Sequence, residues 1–86
     1  MRVQLHRRFE KQFRKLQRSE RIRARERLVL FAHDPFDPLL NNHPLEGKYQ
    51  SCRSINIGGD LRAVYREIRK DIAYFIAIGT HNKLYS

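Results

Sequence analysis

The chain has 86 residues, 31% of them charged and 41% hydrophobic, enough for one modest core in a single domain over residues 1–86. Eighteen Lys and Arg against nine Asp and Glu give a formal charge of +9, which points to a polyanionic partner: nucleic acid, an anionic membrane or an acidic protein. The longest apolar stretch, Ile72 to Gly79, falls far short of the roughly 20 residues that span a bilayer, and the charged start lacks the apolar run of a signal peptide.

Val3 and Leu5 alternate with polar neighbours and predict a short opening strand. Phe9, Phe13 and Leu16 recur at i, i+4 and i+7, which predicts a helix from about His6 to Gln17. Ser19 suits an N-cap for a second helix, Glu20 to about Ala32, whose apolar face would be Ile22, Leu28, Val29 and Phe31 or Ala32. Residues 1–27 hold nine Arg and two Lys against Glu10, Glu20 and Glu26, so nearly the whole charge excess sits on this helix hairpin. Arginine's planar fork suits phosphate, and few carboxylates stand ready to pair along the helices.

His33 to Pro44 holds all three prolines and reads as an ordered loop, pinned by Leu39, Leu40 and Leu45. Gly47 turns the chain into three strands: Tyr49–Ile57, Leu61–Ile68 and Ile72–Ile78. Gly58-Gly59-Asp60 and Arg69-Lys70-Asp71 are the turns between them. The last strand is nearly all apolar, as befits a central strand covered on both faces. His81 to Ser86 forms a tail. The order is β-α-α-β-β-β, an α+β fold in which the helix hairpin packs on one face of a small, mostly antiparallel sheet. Phe9, Phe13, Ile22, Leu28 and Phe75 are its expected core.

Polar residues gather in four segments at strand ends: Asn42 to Gly47, Arg53 to Asn56, Asp60 to Arg62 with Tyr65, and Gly79 to Tyr85. Sites tend to be mounted there. Lone Cys52 cannot form an internal disulfide and fits a reducing cytosol. The four histidines and Cys52 show no recognised metal-ligand spacing, so no metal or cofactor is expected.

The run His43-Pro44-Leu45-Glu46-Gly47, then Arg53-Ser54-Ile55, Gly59-Asp60-Leu61-Arg62-Ala63-Val64-Tyr65-Arg66, and Ile78-Gly79-Thr80-His81 with Leu84-Tyr85 resembles the RelE/ParE superfamily of bacterial toxins. It looks most like the YafQ-like mRNA interferases of type II toxin–antitoxin pairs. The resemblance covers essentially the whole chain. It implies a cytoplasmic, ribosome-dependent endoribonuclease that cuts messenger RNA in the decoding site. It also implies a cognate antitoxin, with the toxin monomeric when free and part of a larger complex when silenced. The family's functional positions match His43, Asp60, His81 and Tyr85 as catalytic residues and Arg62 as a phosphate clamp. Arg53, Asn56 and Lys83 are further candidates for RNA contact. Where YafQ-like enzymes can carry another histidine, this chain has Asn56, which exchanges no proton near neutrality.

The chemistry stands on its own as well. RNA carries its own nucleophile, the 2′-hydroxyl. Cleavage therefore needs a base, an acid for the departing 5′ oxygen, and cations around the phosphorane. Imidazoles serve as either base or acid near neutrality, arginine stabilises the developing charge, and an aromatic ring can stack on an unpaired base. Two other functions fit the same fold: a ParE-like toxin that poisons DNA gyrase, and a catalytically weak member that binds RNA or ribosomes without cutting.

Overall fold

The computed structural model describes residues 1–85. Its sheet has five strands in the order β1-β5-β4-β3-β2: β1 (Arg2–Leu5), β2 (His43–Pro44), β3 (Arg53–Gly58), β4 (Leu61–Arg69) and β5 (Ile72–Thr80). Only the β1–β5 pair is parallel; the others are antiparallel. Helices α1 (Arg7–Arg14) and α2 (Arg18–His33) pack on one face, and a short helix, α3 (His81–Tyr85), packs on the other. This is the α+β arrangement expected from the sequence. No helix among the described residues is long and apolar enough to cross a membrane.

Strand alternation sorts the side chains between the faces. Ile55 and Ile57 of β3, Leu61, Ala63 and Tyr65 of β4, and Phe75 and Ile78 of β5 enter the core beneath the helices with Phe9, Ala24 and Phe31. Phe31 holds edge-on contacts with Tyr65 (4.8 Å) and Phe75 (5.1 Å), an arrangement that ring quadrupoles favour. In β5 the pairing steps from Val64–Ala77 to Tyr65–Phe75, leaving Ile76 as a bulge. The bulge keeps Phe75 and Ile78 on the helix side while Ala77 joins Val64, Leu84 and Tyr49 in a smaller cluster on the opposite face.

Several expectations need correction. The first helix is shorter than His6–Gln17: His6 caps it, with Nδ1 accepting from the Arg8 amide (2.9 Å), and Lys15 ends it. Gln17, not Ser19, precedes α2, and the Glu20 carboxylate accepts from its backbone amide (3.0 Å). Ala24, Leu28 and Phe31 form the inward stripe of α2, whereas Ile22 and Val29 are 47% and 61% exposed. At 3.6 residues per turn those two lie roughly 140–160° round from Ala24. Leu39 is also exposed, and Leu40 alone of that pair is buried.

Tyr49–Ile57 is not one strand. Gly47–Tyr49 forms a single 3-10 turn, and Ser51 takes a left-handed φ of 74°, so extended backbone starts only at Arg53. His43–Pro44, read as loop, pairs with Ser54 and Arg53 as a two-residue edge strand, a position that tolerates proline's missing N–H. The tail folds as α3, where Thr80 Oγ1 accepts from the Lys83 amide (3.3 Å). Its last residue, Ser86, lies outside the described residues. Gly58 (φ 145°) packs against the Arg23 side chain of α2, which occupies the place of a Cβ.

Candidate active site

The face of the sheet away from α1 and α2 carries the polar residues. Along β3, Ser54 and Asn56 alternate with the core isoleucines, and in register across β4 stand Val64 and Arg62. His43 of β2 lies directly opposite Ser54. At the far end of β5 the chain turns into α3, which contributes His81 and Tyr85 one helical turn apart, their rings 4.6 Å between centroids. These elements enclose a cleft of about 330 Å³ lined by Asn41, His43, Leu45, Glu46, Ser54, Arg62, His81 and Tyr85.

Local hydrogen bonds fix the chemical groups. Asn41 adopts a left-handed φ of 44°, and its carbonyl lies 2.8 Å from His43 Nδ1. A carbonyl only accepts, so the neutral imidazole carries its proton on Nδ1 and leaves Nε2 with a free lone pair. Arg62 donates through Nη1 to the carbonyls of Gly59 (2.9 Å) and Leu61 (3.1 Å), so its fork is held by the turn while its other N–H groups stay available. The His81 amide donates to the Asp60 carbonyl (3.1 Å), tying the start of α3 to the same turn. Tyr85 packs edge-on against Tyr49 (5.6 Å), and burial pushes the Tyr49 phenol up, so that wall is neutral.

Three buried side-chain atoms here find no protein hydrogen-bond partner: Ser54 Oγ, Asn56 Oδ1 and Tyr85 OH. Leaving such atoms unpaired costs about 1–3 kcal/mol each. Ser54 and Tyr85 line the cleft beside two imidazoles and a guanidinium, Glu46 brings a carboxylate to the same lining, and Asn56 stands next to them, paired with Arg62 across the strands.

The family model described as the bacterial toxin of type II toxin-antitoxin system, YafQ, matches residues 1–86. The chain belongs to this family. No curated protein matches it. Among solved structures, it is similar to YafQ from E. coli strain BL21(DE3), at 18% identity over 100% of both chains and a TM-score of 0.82. It is similar to a chain of the E. coli DinJ-YafQ toxin-antitoxin complex, at 18% identity over 98% of this chain and 96% of that one, TM-score 0.76. A chain of the archaeal RelE-RelB complex from Pyrococcus horikoshii OT3 is 20% identical over 95% and 96% of the two chains, TM-score 0.75. At these identities the likeness is one of fold.

In this YafQ-family toxin the structure brings His43, Arg62, His81 and Tyr85 to one cleft, with Asn56 paired beside Arg62. The other candidates lie elsewhere. Arg53 stands in register with Tyr65 on the helix side, where its Nε donates to Asn42 Oδ1 (2.7 Å) and its guanidinium covers Phe36. Lys83 lines a separate depression with Gln12, Lys15 and Glu20. The Asp60 side chain is exposed and does not line the cleft; its carbonyl is what meets α3. Ser54 and Glu46 line the cleft without having been singled out. Period-two alternation from Ile55 and Ile57 carries the signal for Ser54, since it places Ser54 with Asn56 and Arg53 with the isoleucines.

Proposed function

We propose that this YafQ-family toxin is a metal-independent, ribosome-dependent endoribonuclease that acts in the cytoplasm on messenger RNA in the decoding site. The observation that carries the reading is the shared cleft of His43, Arg62 and His81. His43, with Nε2 free, takes the proton of a 2′-hydroxyl, whose oxygen attacks the adjacent phosphorus. The P–O5′ bond breaks, and His81, protonated and exposed at the rim, gives its proton to the departing 5′ oxygen. The products are a 2′,3′-cyclic phosphate and a 5′-hydroxyl. Arg62 stabilises the phosphorane charge with its remaining N–H groups. Tyr85 stacks on or hydrogen-bonds to the nucleotide, and Ser54 and Asn56 pair with its polar atoms. Asp60 holds His81 in place through the backbone.

Cognate antitoxin binding follows from the family and from charge. DinJ-YafQ and RelE-RelB were solved as complexes, and a chain of +9 suits an acidic, partly disordered partner. The free toxin is a monomer that joins a larger complex with that partner.

Toeprinting of mRNA on translating ribosomes tests the reading. Cuts in the decoding site that vanish with His81→Ala support it. Ribosome occupancy without cuts would favour a binding-only role, to which the non-titrating Asn56 lends its weight. Gyrase-dependent DNA breaks would replace the reading with gyrase poisoning.

A further inference from the structure

The sheet face that carries the cleft continues past it. Beside the buried cluster of Tyr49 and Cys52 lies a second depression of about 400 Å³, lined by His6, Arg8, Cys52, Arg66, Tyr74 and Ile76. No carboxylate lines it. Arg66 and Tyr74 are cross-strand partners on β4 and β5. Arg66 also shares its face with Arg62, four residues back on the same strand, a separation of about 13 Å. The rings of His6 and Tyr74 lie 5.5 Å apart, tilted at 56°. His6 Nδ1 accepts from the Arg8 amide, so in the neutral ring the proton sits on Nε2, a donor.

We propose that this depression is a second RNA subsite, holding the single strand on one side of the scissile phosphate. The proposal rests on the reading that Arg62 grips that phosphate. Two guanidiniums beside two aromatic rings are the combination that binds unpaired nucleotides, cations for the backbone and π faces for the bases. Continuity with the cleft selects RNA over an acidic peptide. Tyr49 joins cleft and depression: it packs on Tyr85, which lines the cleft, and shares a buried cluster with Cys52, which lines the depression. Lys48 sits over the Tyr49 ring, 5.4 Å from its centroid, which adds a cation to the residue that joins the two. A strand leaving Arg62 reaches Arg66 along the same face of β4, with Arg8 beside it, without crossing to the other face.

The test uses 2′-O-methyl RNA, which binds but cannot be cut, read by fluorescence anisotropy with the full-length toxin. The wild type should bind an oligonucleotide of about nine nucleotides at least tenfold tighter than one of about three. Arg8→Glu with Arg66→Glu should abolish most of that gain and flatten the log–log salt slope by about 1.4, the value for two lost phosphate contacts on a single strand. Arg14→Glu with Arg18→Glu, the same charge change at the exposed tip of the helix hairpin, controls for overall charge and should keep the gain. Thermal melting verifies that both pairs fold.

Equal loss in the two pairs, or none in the first, overturns the proposal. So does a first pair that keeps the RNA gain and loses only antitoxin binding, which would assign the face to the protein partner. Because the probe cannot be cleaved, failure of the nuclease reading shows on ribosomes and leaves this measurement standing.

Discussion

The backbone amide of His81 donates to the carbonyl of Asp60 at 3.1 Å, so the residues are joined through the main chain. Asp60 thereby positions an imidazole without presenting its carboxylate to the cleft. Asp60→Asn should keep mRNA cutting within about tenfold of wild type, whereas His81→Ala should lower it by about 10²–10⁴-fold, the usual contribution of a positioned acid. Cutting rates on ribosomes compare the two. An Asp60→Asn loss as large as that of His81→Ala would return the carboxylate to the chemistry.

His43 depends on Asn41 in a similar way. The left-handed φ of Asn41 (44°) aims its carbonyl at Nδ1. Asn41→Gly adopts that conformation freely and should retain cutting. Asn41→Val opposes it by about 1–2 kcal/mol, and a misaimed carbonyl should lower the cutting rate more than it lowers RNA affinity. Single-turnover kinetics separate the two effects.

Asn42 holds the loop in front of the site. Its Nδ2 donates to Tyr65 OH and to the Pro35 carbonyl (both 2.8 Å), and its Oδ1 accepts from Arg53 Nε. Asn42→Ala strands three partners and should cost about 1–3 kcal/mol in urea unfolding. Arg53→Ala should likewise lower stability while leaving RNA affinity near wild type.

Phe31 is fully buried between Tyr65 and Phe75. Phe31→Ala should cost about 3–5 kcal/mol, a large part of the roughly 5–15 kcal/mol that holds a small domain together. Its urea midpoint should fall accordingly.

Alkali should weaken the fold. Burial raises the Cys52 thiol and the phenols of Tyr49 and Tyr65 above their ordinary values. The unfolded chain then loses these protons first, so stability is full below about pH 8.5 and declines as pH rises through the ordinary thiol and phenol ranges. Thermal melts from neutral to alkaline pH should show the decline, and Cys52→Ala should remove its earliest part.

Much of this was legible in the chain itself. The i, i+4 spacing of Phe9 and Phe13 gives α1, the two turn signals give the β3–β4–β5 meander, and His43, Arg62, His81 and Tyr85 do share a cleft. What escaped has physical causes. The stripe of α2 rests on Ala24, too small to stand out beside Ile22 and Val29. The break before β3 depends on a left-handed serine, Ser51, which composition does not announce. The bulge at Ile76 swaps faces within an all-apolar strand, where alternation leaves no trace. Arg53 sits on the wrong face for the site by a single step of the pleat, a parity its isoleucine neighbours encode.

The outer margin of the sheet is only two residues long and ends in Pro44. A strand from another molecule therefore meets a short template with one hydrogen-bond donor missing, a poor start for edge-to-edge growth. That margin is thereby guarded against edge-to-edge growth, which leaves the four-residue β1 at the opposite margin as the longer template for a second chain.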